Sequence, residues 1–158
     1  VERGISTAWP PSYNKSKAES RLSVYMHRPL HGQSIYPPIN ILPSLSRLMK
    51  DGIGAGYTRE DHQDLANQFF SAYAKVGDAR NLASVIGEDE LSPIDKKYLE
   101  FGKEFEEQYI GQGPEENRSM IETLDLGWKL LGRLPREELD RVDTKILDKY
   151  YKPMEDES

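Results

Sequence analysis

The sequence contains no cysteine, no long apolar run and no stripe of basic residues. Without cysteine, disulfides and thiolate metal sites are excluded, which fits a reducing compartment. No hydrophobic run approaches the roughly 20 residues needed to cross a bilayer, so direct membrane insertion is not expected. The formal net charge is −6, and basic residues are mixed with acids, which argues against nucleic acid as a partner. The remaining composition, 37% hydrophobic and 30% charged over 158 residues, is ordinary for one helical domain.

Helical signals dominate the chain from Thr58 onward. The run Thr58 to Asp61 resembles a capping box with a shorter acid, and apolar residues follow it at three- and four-residue spacing. Gly77 is predicted to end this helix. Asp78 is then predicted to cap a second short helix, which Gly87 closes in the left-handed conformation.

The start of the next helix is the clearest in the chain. Ser92 at the N-cap, Pro93 at N1 and Asp95 at N3 satisfy exposed amides and favour the helix dipole. Further helices are predicted from about Asn117 and over 136–142 and 144–151. Short loops between them favour antiparallel packing around one core. The apolar stripe of the helix that Ser92 caps consists of Ile94, Tyr98, Phe101, Phe105 and Tyr109.

The front of the chain predicts less regular structure. Residues 1–21 have little apolar periodicity and are interpreted as poorly ordered. A short strand is expected over Leu22–Met26, and Tyr36 to Pro38 should run extended. Next comes an expected helical turn, whose spacing of about 100° per residue would place Arg47 opposite its apolar side, available to a partner. That apolar side would consist of Leu42, Leu45, Leu48 and Met49.

Two features could be mistaken for binding sites. The run Gly52 to Thr58 looks like a phosphate loop, but Tyr57 stands where lysine is required, so we interpret its glycines as a turn. His27 and His31 have a spacing found in metal sites, yet Pro29 lies between them and no third ligand is placed nearby. No metal site is therefore predicted, and His62 is interpreted as a surface or interface residue.

An acidic segment, Glu88 to Ser92, concentrates three acids and a leucine expected to be exposed. Two interpretations stay open at this stage. Acids near a helix N-terminus gain roughly 0.3 to 1 kcal/mol each from the helix dipole. Alternatively, the segment is a tip that binds a partner.

Several motifs taken together resemble one known family. The runs YPPIN, LPSLSR, TREDH, QGP and ETLDLGW, between about Val24 and Pro153, are similar to the C-terminal part of the B subunit of archaeal A-type and vacuolar-type rotary ATPases. In that family the B subunit is the non-catalytic, regulatory member of a ring in which it alternates with the A subunit. The resemblance implies a fragment that is not an enzyme alone.

The resemblance also implies a fold and a division of the chain. The fold expected is mainly α, a C-terminal helical bundle preceded by a short remnant of an α/β nucleotide-binding domain. Residues 1–21 cannot be aligned with the family. The remnant would span 22–57, the helical domain 58–153 and an acidic tail 154–158.

By the same resemblance, Arg47 would be an arginine finger offered in trans to a nucleotide held by the A subunit, with Ser46 near that nucleotide. Asp89, Glu90 and Leu91 would contact the central stalk, because they resemble the opening of the acidic tip in F-type catalytic subunits. No cofactor is expected within this chain, and ATP or ADP with Mg would bind at the interface with the A subunit. The expected partners are the A subunit together with the central-stalk subunits, in a soluble cytoplasmic head peripheral to the membrane.

Alternatives remain at this stage. Arg47 could be structural, pairing with Asp51 or Glu60. The whole chain could be a helical adaptor that binds another protein and touches no nucleotide. An independent enzyme using the glycine loop would require the isolated chain to bind ATP, and we expect no such binding.

Overall fold

A computed structural model describes residues 22–46 and 49–154 of the chain. Two strands, β1 (Leu22–Met26) and β2 (Ile39–Ser46), flank a short helix α1 (Arg28–Gly32), and a second short helix α2 (Met49–Gly52) follows. The prediction of a mainly α fold is confirmed. The remaining elements are α3 (His62–Ile86), α4 (Pro93–Glu104), a π-helical segment (Phe105–Ile110), α5 (Met120–Leu131), a 3-10 turn (Arg136–Glu138) and α6 (Thr144–Tyr150). Over the two described ranges, no helix combines the length and apolar character needed to span a bilayer.

The front of the described chain is an antiparallel hairpin. The predicted strand β1 is confirmed, and it pairs with β2 in a register that places Leu22 opposite Ser46 and Met26 opposite Ile39. The register shifts in the middle, where the Tyr25 amide donates to Ser44 Oγ at 3.1 Å. A side-chain hydroxyl thus replaces one backbone acceptor of the ladder at this irregularity.

The predicted helical turn over Leu42 to Met49 is wrong. Leu42 and Leu45 lie in β2, and Met49 begins the single turn α2. The pairing of β2 with β1, from Met26 opposite Ile39 to Leu22 opposite Ser46, holds this stretch in the extended conformation. The argument that set Arg47 opposite a helical apolar side therefore does not hold, and Arg47 and Leu48 lie outside the described residues.

An aromatic cluster forms the centre of the helical part. The Phe69 ring of α3 lies 4.9 Å from Phe105 and 4.8 Å from Tyr109, measured between ring centroids. Phe105 also stacks on Phe101 at 5.7 Å. Rings at these separations attract one another beyond their shared burial. The apolar stripe predicted from Ser92 onward is therefore confirmed as the face that packs on α3.

Helix α3 runs unbroken through Gly77, so the predicted break there is wrong. A helical glycine costs about 1 kcal/mol relative to alanine. Val76 and Ala79, on either side of it, are buried at 1% and 2% exposure. Burying one large apolar side chain fully contributes about 1.5 to 3 kcal/mol, which outweighs the glycine. The predicted stop at Gly87 is confirmed, with a φ of 89°.

The helix starts agree only in part with prediction. Ser92 accepts a hydrogen bond from the Asp95 amide, so the predicted cap of α4 is confirmed. Helix α5 begins three residues later than expected, behind a capping box formed by Ser119 and Glu122. The predicted cap at Thr58 is wrong, because α3 begins only at His62.

A helix was predicted over 136–142, but only Arg136–Glu138 is helical, as a 3-10 turn. Gln68, buried on α3, explains the difference. Its amide nitrogen donates to the Glu138 carbonyl at 3.1 Å, and its oxygen accepts from the Arg141 amide at 2.9 Å. Because backbone groups of this stretch bond to Gln68, they are not available to continue a helical ladder.

Candidate functional site

Strand β2 leads directly to the predicted arginine and is fixed to the helical core. Ser46, the predicted nucleotide-proximal residue, is the last residue of β2 and is partly buried. Ile41 and Leu42 of the same strand pack against the core cluster. The chain just before β2 is tied to the loop after the π-helical segment, since the Gln112 amide donates to the Tyr36 carbonyl at 2.7 Å. The first half of β2 is thereby held by the packing of the helices, and its last residue, Ser46, pairs with Leu22 of β1.

The loop between α2 and α3 is a hydrogen-bonded turn, as predicted from its glycines. Gly54 and Gly56 adopt φ angles of 98° and 95°, which side chains with a Cβ rarely tolerate. The Gly54 amide donates to Thr58 Oγ1 at 2.7 Å, and the Thr58 amide donates back to the Gly54 carbonyl at 2.8 Å. Thr58 therefore closes the loop instead of capping α3.

His62 joins this loop to the first turn of α3. Its Nδ1 lies 3.1 Å from Thr58 Oγ1. Burial lowers the pKa of His62, and the nearby positive charge of Arg59 lowers it further, while Asp61 opposes the change. A neutral imidazole can accept the Thr58 hydroxyl proton at Nδ1. His62 is partly buried, and its interpretation as a surface or interface residue stays a prediction.

Asp61 is fully buried and connects α3 to α5. Arg59 donates to both of its carboxylate oxygens, from Nε at 2.6 Å and from Nη2 at 2.9 Å. The Trp128 indole N–H donates to Asp61 Oδ2. Burial by itself raises the pKa of Asp61, but the hydrogen bonds from Arg59 and Trp128 outweigh burial and hold the pKa below its ordinary value.

The alternative acidic partners for Arg47 can be located as well. Glu60 already accepts hydrogen bonds from Lys149 Nζ and, at 3.2 Å, from the Tyr150 hydroxyl. Asp51 lies exposed on α2. Since α6 supplies a cation to Glu60, that acid is engaged by its own domain.

In the acidic tip, Glu88 to Ser92, the exposure of the leucine differs from the prediction. Asp89 and Glu90 are exposed, but Leu91 is only 4% exposed, so the expectation of an exposed leucine is wrong. The turn is closed by the Leu91 amide, which donates to the Glu88 carbonyl at 3.2 Å. Lys96 Nζ donates to the Asp89 carbonyl at 2.9 Å. These bonds fold the chain back so that Leu91 turns inward and the acids stay outward.

Apolar side chains next to the acids are solvent-exposed. Val85, in the last turn of α3, is 81% exposed, and Leu82 and Ile86 are 41% and 45% exposed. Isolated exposed apolar residues are common on proteins, but three within five positions beside an acidic turn form a mixed surface. The sequence had predicted a separate short helix here, whereas the structure places these residues in the last turns of α3.

The two histidines at the front of the chain are exposed, His27 just before α1 and His31 within it. Among the residues that the structure describes, no group of three or more histidine and acidic side chains is arranged to hold a metal ion.

Sequence reasoning missed the Asp61–Trp128 pair. The i to i+3 spacing of Thr58 and Asp61 is that of a cap, and nothing in the spacing tells whether the acid turns to its own helix or crosses to another. Only the burial of both partners, 0% for Asp61 and 5% for Trp128, decides it.

Comparison with known proteins identifies the domain that carries this arrangement. Residues 51–151 match a family model described as the C-terminal domain of V and A type ATP synthase. The chain belongs to this family. The predicted resemblance to the B subunit of A-type and vacuolar-type rotary ATPases is thereby confirmed.

Two curated relatives and a solved structure are similar to this ATP synthase domain. The V-type ATP synthase beta chain 2 of Clostridium tetani is 59% identical over 129 residues, which is 82% of this chain and 28% of that protein. The B subunit of the A-type ATP synthase of Methanopyrus kandleri is 54% identical over 81% of this chain and 13% of that protein. The ATP synthase subunit NeqB of Nanoarcheaum equitans superimposes with a TM-score of 0.67 at 36% identity, covering 73% of this chain and 29% of that chain. The chain thus spans less than a third of the length of each.

Proposed function

We propose that this domain works as the C-terminal portion of a B-type subunit in a rotary ATP synthase or ATPase. In this role the subunit is non-catalytic and regulatory, and the complex couples ATP synthesis or hydrolysis to ion transport. The single observation that carries the proposal is the 59% identity to a V-type ATP synthase beta chain over 82% of this chain. An identity this high over most of the domain favours a shared place in a shared complex.

In this proposal the domain acts on the nucleotide of a neighbouring subunit through Arg47. Its guanidinium would reach in trans to ATP or ADP with Mg held by the A subunit. A guanidinium suits this task because it is permanently charged and its planar fork matches phosphate oxygens, where charge grows during phosphoryl transfer. Ser46 would lie close to the same nucleotide. The cofactor is therefore proposed for the interface and not for this chain.

The packing around β2 supports a mechanical link to this arginine. Ser46 ends a strand whose Ile41 and Leu42 pack against the helical core. A movement of the helices would therefore be passed to the residue that precedes Arg47. This link gives a physical route by which a helical domain could influence chemistry at the interface with a neighbouring protein.

The exposed acids of the tip are the proposed contact with the central stalk. Asp89 and Glu90 would face a partner with complementary positive charge, and buried Leu91 would hold the turn that presents them. The proposed location is accordingly the cytoplasmic head of the complex, with the A subunit plus the central stalk as partners.

The test is Arg47→Lys in the complete complex. Lysine keeps the charge but loses the bidentate fork. Arginine fingers in other nucleotide hydrolases contribute about 10³ to 10⁵ in rate, so we expect ATP turnover to fall by at least about a hundredfold while the complex still assembles. Arg141→Lys is the matched control, because Arg141 is an exposed arginine elsewhere in the domain and should leave turnover unchanged.

The rival function is a helical adaptor without a nucleotide role, for which the exposed Val85 side chain is the supporting observation. The adaptor predicts that Arg47→Lys leaves ATP turnover unchanged and that any loss appears in the assembly of the complex. Full turnover of an intact Arg47→Lys complex would contradict the arginine finger. A loss confined to assembly would favour the adaptor.

A further inference from the structure

We propose that a basic recess at the ends of α5 and α6 binds an acidic segment of a partner protein. The recess has a volume of about 440 Å³. It is lined by three lysines, Lys129, Lys149 and Lys152, and is called the lysine recess below. Neither Ser46 nor the acidic tip lines it, so its role would be separate from the function proposed above.

Contacts between α5, α6 and the chain after them hold the lysine recess in shape. The Trp128 ring stacks on the Tyr150 ring at 5.8 Å between centroids. Beyond α6 the chain crosses the end of α5, where the Met154 amide donates to the Gly132 carbonyl at 2.9 Å. The crossing is so close that a Cβ at Gly132 would clash with the Lys152 carbonyl oxygen. The backbone that carries the lysines is therefore fixed before any ligand binds.

The charges in the lysine recess do not balance. Among the described residues, Asp125 is the one acid that lines it, and it already pairs with Arg59. Neither Lys129 nor Lys152 forms a salt bridge within the described part of the chain, and both side chains are exposed. Two positive charges thus lie together without an acidic partner there, in a chain whose net charge is −6.

The chemistry of the lysine recess favours carboxylates over phosphates. Lys149 Nζ and the Tyr150 hydroxyl both donate to a carboxylate of the chain itself, that of Glu60. Phosphate sites are commonly built from helix N-termini or arginine forks. Lys129 and Lys149 lie instead in the last turns of α5 and α6, where the helix dipole disfavours a doubly charged anion. Since no arginine of the described ranges lines the recess, a singly charged carboxylate is the better match.

Apolar side chains in the same walls indicate that the ligand is a protein segment. Trp128, Pro153 and Met154 line the recess beside the lysines. A free dicarboxylate would leave this apolar surface uncovered. A peptide can instead place its carboxylates on Lys129 and Lys152 and cover Met154 with an apolar side chain, which adds the free energy of apolar burial. The occupant is therefore a partner segment in which acids lie next to large apolar residues.

The experiment measures binding of a fluorescein-labelled peptide of alternating glutamate and leucine to the 158-residue chain, by fluorescence anisotropy at low salt. Lys129→Gln combined with Lys152→Gln removes the two unpaired charges. Lys103→Gln combined with Lys145→Gln removes two exposed lysines outside the recess and is the matched control for net charge. Because exposed ion pairs contribute little each, we expect the recess variant to raise Kd about three- to tenfold and the control to raise it less than about twofold.

A variant of opposite sign makes the test independent of any damage done by the lysine changes. Asp125→Asn removes the acid from the recess and should lower Kd about two- to threefold. A peptide with glutamine in place of glutamate should not bind measurably to any of these chains. Urea unfolding of each variant checks that it is folded under the binding conditions.

Four results would overturn the proposal. The unchanged chain fails to bind the peptide, or both double lysine variants weaken binding by the same factor, which would show that net charge alone attracts it. Binding that appears only after alanine replaces Glu155, Asp156 and Glu157 would make the acidic tail of the chain the occupant. Inorganic phosphate that displaces the peptide far better than sodium chloride of equal ionic strength would make the recess a phosphate site.

Discussion

The crossing of α3 and α4 gives a prediction in which two glycine-to-alanine changes have opposite signs. Gly102 of α4 faces Val76 of α3 so closely that an added Cβ would lie 2.3 Å from Val76 Cγ1 and 3.0 Å from Val76 Cγ2. Gly77, next to Val76 and also inside a helix, would meet nothing within 4 Å. The two sites therefore share a backbone conformation and differ in the space beside it.

The magnitudes follow from two opposing effects. Alanine in place of a helical glycine contributes about 1 kcal/mol through helix propensity, at either site. At Gly102 a carbon–carbon contact of 2.3 Å must open toward the normal 3.5 to 4.0 Å. Val76 is only 1% exposed, so its methyl groups are enclosed by the core. Overpacking of this kind costs about 1 to 3 kcal/mol, and we expect the upper end, so Gly102→Ala should destabilise by about 2 kcal/mol net.

The assay is urea unfolding of the 158-residue chain, followed by circular dichroism. With a slope of about 2 kcal/mol per molar, Gly102→Ala should lower the midpoint by about 1 M and Gly77→Ala should raise it by about 0.5 M. A Gly102→Ala midpoint equal to or above that of the unchanged chain would refute the reasoning. Combining it with Val76→Ala should cost less than the sum of the single changes by at least about 1 kcal/mol, because the clashing methyl groups are gone.

Two further predictions concern the acidic tip and the buried acid. Alanine at both Asp89 and Glu90 should change the unfolding free energy by less than about 0.5 kcal/mol, since both are exposed, whereas Leu91→Ala should cost about 2 to 5 kcal/mol in the same urea titration. In the complete complex, the variant with alanine at both Asp89 and Glu90 should release the central stalk at a lower salt concentration than the unchanged complex does, as measured by gel filtration. For Asp61, burial raises the pKa but hydrogen bonds led by Arg59 hold it below the ordinary 3.8. Its stabilising contribution is therefore present above pH 3.8 and is lost as the pH falls through the folded-state value, a dependence that Asp61→Asn should remove.

Controls separate these effects from general damage. Alanine at Glu115 and Glu137, two exposed acids away from the tip, should leave stalk retention unchanged. Loss of retention in that control as well would show that net charge, and not the tip, holds the stalk. For the pH experiment, an Asp61→Asn variant that still loses stability with the same slope as the pH falls below the ordinary pKa of 3.8 would contradict the role given to this acid.

Local sequence signals predicted those features of the fold that depend on neighbouring residues. Ser92, Pro93 and Asp95 act on amides one to three positions away, so the start of α4 could be read from the sequence. The stop at Gly87 depends on one residue with a positive φ. Gly77 was predicted from the sequence to end a helix. The helix continues there because burial of Val76 and Ala79 stabilises it by more than the glycine costs.

The candidate site was predictable from sequence only as a set of motifs. The sequence pointed to Ser46 and the acids of the tip, but it did not indicate which strand pairs with Ser46 or that Leu91 beside the acids is buried. The hairpin that holds Ser46 pairs it with Leu22, 24 positions earlier. Leu91 looked exposed because it lies among acids, yet the turn that buries it is closed by backbone hydrogen bonds.

By itself, the sequence determined the mainly α class, the cap of α4, its aromatic stripe and the membership of the domain in its family. Each of these depends on residue identity at short, fixed spacings. The tertiary structure alone decided that Asp61 crosses to Trp128, 67 positions away, and that Thr58 binds back to Gly54 instead of capping a helix. The physical reason is that a polar side chain has several acceptors or donors of similar quality nearby, and only the packing of distant elements determines which one is buried beside it.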